Sequence, residues 1–108
     1  MLKPFSKKRQ VQMVEYSELI KNLRLLCNNK SELSGGKPDW QSQFLVEPHH
    51  IDRRNGDKLL NPFNIILLTR VEHDIQEGKI NGQKLSKEEL YAIIYPLRIS
   101  QGFIPKAD

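Results

Sequence analysis

Residues 47–78 read EPHHIDRRNGDKLLNPFNIILLTRVEHDIQEG and contain all three histidines of the chain, the adjacent pair His49 and His50 and the isolated His73. QFLVEPHHI, at residues 43–51, has the composition of a short strand, and Pro48 confines it to an edge or an end because proline donates no ladder hydrogen bond. Asn55-Gly56 is a strong turn signal. FNIILL, at 63–68, is an apolar run of strand length and predicts a second, well-buried strand. Thr69-Arg70-Val71-Glu72 then forms a capping box, in which the Thr hydroxyl accepts from the Glu72 amide and the Glu72 carboxylate reaches back. A short helix follows and stops before Gly78. The stretch is therefore a hairpin followed by a helix.

Outward from this core, Tyr16, Leu19, Ile20, Leu23, Leu26 and Cys27 recur at helical spacing and predict an amphipathic helix over about residues 10–28. Cys27 falls on the apolar stripe as a core thiol. CNNKSELSGGKPDW, at 27–40, is rich in turn formers and reads as a loop. On the other side, Ser86-Lys87-Glu88-Glu89 is a second capping box, with Leu85 and Leu90 placed as a hydrophobic staple. The helix it opens is expected over about 86–96, with Pro96 marking its end. The fold class is α+β.

The whole chain sets the bounds. Its 108 residues are expected to form one domain with a modest core. With 38% hydrophobic and 28% charged residues it suits a soluble globular protein, and no apolar run approaches the length that spans a bilayer. The basic start MLKPFSKKRQ is followed by no apolar stretch of the kind a secretory signal carries. A single cysteine excludes an internal disulfide and a four-cysteine zinc site, so a cytoplasmic protein is expected. A net charge of +4 favours an anionic partner, nucleic acid being the commonest.

Successive side chains of a strand point to opposite sides, so His49 and His50 can take different tasks in one site. His73 occupies the helix position where a staple would place an apolar partner for Leu68. It also lies two residues from both Val71 and Ile75, and is expected to face away from the buried stripe these would form. A histidine that breaks a local packing rule is a site candidate.

HHI, then Asn64 before ILLT, then His73 after TRVE, resembles the HNH endonuclease family, over about residues 44–78. The spacing and the ILLTR stretch are similar to the HNH domains of CRISPR effector nucleases. The resemblance implies a ββα-metal (His-Me finger) core with flanking N- and C-terminal helices. The chain departs from many family members in lacking the two CxxC-like pairs that bind a structural zinc, so its fold must rest on its own apolar core.

The resemblance further implies a metal-dependent DNA endonuclease. His49 and His73 correspond to metal ligands, and His50 to the general base that deprotonates the attacking water. Asn64 belongs to the catalytic set either as the residue that pins the loop between the strands or as a ligand. Glu77, one helical turn after His73, is a third ligand, a carboxylate orienting His73, or a solvated helix-end charge. Arg53, Arg54, Lys58 and Arg70 are candidate phosphate contacts. Imidazole ligands favour Mn²⁺, with Co²⁺, Ni²⁺, Mg²⁺ or Zn²⁺ as other occupants. A monomer or weak homodimer with one such site nicks one strand of DNA per encounter. The competing expectation is a metal-containing DNA-binding module with weak or no catalysis. Small free-standing members of the family resemble those of bacteria, phages and mobile elements.

Overall fold

The computed structural model describes residues 7–38 and 43–105; the last two residues of the 27–40 loop lie outside them. Helix α1 (Lys7–Leu26) is followed by strand β1 (Glu47–His50), strand β2 (Ile65–Leu68), helix α2 (Arg70–Gln76) and helix α3 (Lys87–Ser100). The two strands pair antiparallel, with Glu47 opposite Leu68, Pro48 opposite Leu67, His49 opposite Ile66 and His50 opposite Ile65. This mixed helical and two-stranded architecture is α+β. Among the described residues, no helix is long and apolar enough to cross a membrane.

The continuous apolar run of β2 has a direct cause: both faces of the strand are covered. Ile65 and Leu67 pack with Ile20 and Leu23 of α1, while Ile66 and Leu68 pack with Leu90 and Ile94 of α3. All four strand residues are fully buried. Burying a side chain of this size contributes roughly 1.5–3 kcal/mol, so β2 is the centre of the molecule. The stripe foreseen on α1 is largely present, with Tyr16, Leu19 and Cys27 packed at its margins, but Leu26 is exposed.

A buried ion pair closes the free edge of β2. The Glu32 amide donates to the Leu67 carbonyl at 2.8 Å, and its carboxylate accepts from the Leu67 amide at 2.8 Å. Arg98, fully buried in α3, holds that carboxylate and also donates to the carbonyls of Pro62 and Ile65, each at 2.9 Å. An open edge would expose unpaired backbone groups. Here Glu32 and Arg98 occupy them.

Both capping boxes are present in full, at Thr69–Glu72 and at Ser86–Glu89. Helix α2 ends with Gly78 at φ +76°, its amide bonded to Ile75 and that of Lys79 to Asp74. Leu85 and Leu90 share one cluster, as a staple requires.

Three expectations need correction. Strand β1 begins at Glu47 rather than near residue 44, because Gln43 and Phe44 take positive φ angles and turn the chain before it. Strand β2 begins at Ile65 rather than at Phe63, because Pro62–Asn64 form a 3-10 turn at the end of the long loop that joins the strands; the turn expected at Asn55-Gly56 is present within that loop, with the Lys58 amide bonded to the Asn55 carbonyl at 3.2 Å. Helix α3 does not end at Pro96; it runs on to Ser100. Proline removes one backbone bond, but Pro96 lies exposed while Ile94 and Arg98 on either side are buried, so packing carries the helix past it. The true stop is Gly102 at φ +97°, where the amides of Gly102 and Phe103 bond back to Ile99 and Arg98.

Candidate metal centre and adjoining clefts

Strand alternation sorts the histidine pair. His49 turns toward α2, where its ring meets the edge of His73 with centroids 5.2 Å apart. His50 turns toward α1 and stacks on Tyr16 at 5.7 Å. The Arg54 guanidinium lies over the other reach of the Tyr16 ring, 5.6 Å from its centroid.

His73 does not face away from the packed side of α2, contrary to the expectation. Val71 is 45% exposed, and the buried residue of the helix is Gln76, whose amide exchanges hydrogen bonds with the backbone of Leu85. The face carrying Arg70, His73 and Glu77 is turned to β1. There, Glu47 Oε1 lies 3.1 Å from His73 Nδ1 and accepts from Arg70 Nη1 at 3.2 Å. His73 Nε2 lies 3.1 Å from Glu77 Oε1, which is also 3.5 Å from His49 Nδ1. Glu47 was not foreseen, although strand period two places it on the same face as His49 and would have found it.

One donor atom each from His49, His73 and Glu77 lies within 4.8 Å of the others, the only such cluster of metal-ligating side chains among the described residues. Nδ1 of His49 is buried and has no hydrogen-bond partner, an arrangement that costs free energy unless something else engages the lone pair. Two imidazole nitrogens and a carboxylate oxygen suit Mn²⁺, Co²⁺, Ni²⁺ or Zn²⁺. The residues present fit a single divalent ion. Burial, with the nearby His73, holds the His49 ring below the usual histidine range, so its nitrogen is free to coordinate at neutral pH.

His50 stands apart from this cluster. Burial also lowers its pKa, against the opposing pull of a hydrogen bond to the Leu59 backbone. Its Nε2 is buried and partnerless, and the side chain borders two clefts. The larger, about 420 Å³, is lined by His49, His50, Asp52, Glu77, Lys84 and Lys87, among others. The smaller, about 270 Å³, is lined by Pro48, His50, Asp52, Arg54, His73 and Glu77.

Asn64 is 2% exposed, and its amide binds the loop and helix α3. Its Oδ1 accepts from the Asp52 amide at 2.9 Å and from the Tyr91 hydroxyl at 3.2 Å. Its Nδ2 donates to the carbonyls of Arg53 and Lys58, at 2.8 and 3.2 Å. Of the two roles left open for it, pinning the loop is the one its bonds perform.

The four candidate phosphate contacts divide. Arg54 lines the smaller cleft. Arg70 is bonded to Glu47, and Lys58 to Asp52. Arg53 is exposed and lines neither cleft.

No protein-family model, no curated protein and no solved structure matches this chain.

Proposed function

We propose that this protein is a metal-dependent DNA endonuclease of the HNH, ββα-metal type, which nicks one strand per encounter. The observation that carries the reading is the convergence of His49, His73 and Glu77, with His50 next to His49 in the strand and its buried Nε2 without a hydrogen-bond partner. The hairpin and the capped helix α2 bring these residues together, in the order strand, strand, helix.

A phosphodiester resists water because its charge repels the nucleophile and its leaving oxygen is poor. His49, His73 and Glu77 would hold one divalent ion, Mn²⁺ favoured, which supplies a Lewis acid to neutralise the phosphate and the developing charge on the leaving oxygen. His50 is neutral at pH 7, since burial depresses its pKa. Its Nε2 takes the proton of a water as the water oxygen bonds to phosphorus. The bond from phosphorus to the 3′ oxygen breaks, and that oxygen takes a proton from solvent water to become a hydroxyl, with the phosphate retained on the 5′ end. Asn64 keeps the loop that follows His50 in register, and Glu47 fixes the His73 ring with Nε2 directed at the metal ligands.

Calorimetric titration with Mn²⁺ tests the site itself. Wild-type protein should bind one equivalent, with the affinity strongly reduced in His49→Ala and in His73→Ala. Equal affinity in all three proteins would remove both histidines from the ligand set.

A further inference from the structure

We infer that Lys84, on the segment that leads into α3, and Lys87, the first residue of that helix, form a phosphate-binding subsite of the larger cleft. This rests on the nuclease reading and assigns the path of the substrate across it. The two clefts share His50, Asp52 and Glu77, so they adjoin at the proposed reaction centre. A backbone whose scissile phosphate sits at that junction extends into both. On the smaller side the cation in the wall is Arg54; on the larger side the cations are Lys84 and Lys87.

Charge decides which groups are available there. The two carboxylates that border the larger cleft are already engaged, Glu77 with the histidines and Asp52 with Lys58 and Lys87. Lys84 forms no ion pair among the described residues, and it lines the larger cleft together with His49. Lys87 is 61% exposed at its side chain and holds Asp52 at 3.1 Å, a contact that leaves further ammonium protons for a phosphate oxygen. Gln76 fixes this segment against α2 through both of its bonds to Leu85, so the lysines are carried on an anchored wall. Arg70 and Lys58 line neither cleft and are secondary.

The experiment measures binding of a short labelled DNA duplex across a series of salt concentrations in the presence of Mn²⁺. The His50→Ala chain serves as the parent so that the probe is not cut. Each phosphate contact contributes roughly 0.7–0.9 to the log–log salt slope. Lys84→Ala should therefore lower the slope by about that amount, and Lys84→Ala/Lys87→Ala by about twice as much. Lys79→Ala, an exposed lysine lining neither cleft, should leave the slope unchanged, and Mn²⁺ affinity should be the same in all. A steep parent slope that survives both lysine variants overturns the subsite and leaves the nuclease reading standing. An equal loss in Lys79→Ala overturns it as well, by reducing the effect to net charge. A flat parent slope overturns both the subsite and the reading on which it rests.

Discussion

The side chain of Asn64 shows how one residue can serve a site without touching its chemistry. Four bonds from one buried amide tie the start of the inter-strand loop, the middle of that loop and Tyr91 of α3 to a single point. Asn64→Ala leaves these groups unsatisfied and should cost about 2–4 kcal/mol in denaturant unfolding. Its Mn²⁺ affinity, measured under native conditions, should stay near wild type; a loss as large as that of His73→Ala would make Asn64 a ligand. Asp52, one bond away, gives a pH signature. Hydrogen bonds from Lys58 and then Lys87 hold its carboxyl at about 2, below its ordinary value. A carboxylate with a depressed folded-state pKa stabilises above its unfolded pKa, roughly 3.9, and loses that contribution as pH falls through the folded value. The stability difference between wild type and Asp52→Asn should therefore be constant above about pH 4 and fade toward pH 2. A difference that grows on acidification would contradict the assignment.

At the scale of elements, what was legible in the sequence was what neighbours in the chain determine. Both capping boxes, the stop at Gly78, the IILL part of the second strand and the α1 stripe apart from Leu26 depend on contacts within a few residues, and these are where the pattern placed them. Thr69→Ala removes the hydroxyl that caps α2 and should cost about 1 kcal/mol. Because α2 carries His73 and Glu77, Mn²⁺ affinity should fall with it, and calorimetry alongside unfolding would show both. The end of α3 was not legible at Pro96 because distant packing overrides the local preference there. His73 was placed on the wrong face for a related reason. Val71 is apolar yet exposed, while the buried position belongs to Gln76, whose partner lies beyond the helix. Of the candidate site, the histidines and Glu77 could be read from residue type and spacing. Glu47 could have been read from the strand period, whereas Lys84 and Lys87 could be placed only by the return of the chain to the cleft.

The molecule as a whole hangs on β2, clamped between α1 and α3 and closed at its edge by Glu32 and Arg98. No local pattern announces that pair, because its members come from opposite ends of the chain. Their side chains are 1% and 0% exposed, so removing one strands the other as a buried charge. Arg98→Ala should destabilise by about 3–5 kcal/mol, read from the denaturant midpoint. A change under 1 kcal/mol would mean the edge of β2 is held by something else. A chain this small, with no disulfide to reinforce it, has little stability to spare.

The most direct test of the central claim is the rate at which supercoiled plasmid is converted to nicked circle in Mn²⁺, for wild type and for His50→Ala. The account predicts that wild type nicks before any linear product forms, and that His50→Ala is slower by roughly 10²–10⁴-fold while binding Mn²⁺ with unchanged affinity. Nicking by His50→Ala at the wild-type rate, or no Mn²⁺-dependent nicking by a wild-type protein that binds the ion, would contradict it.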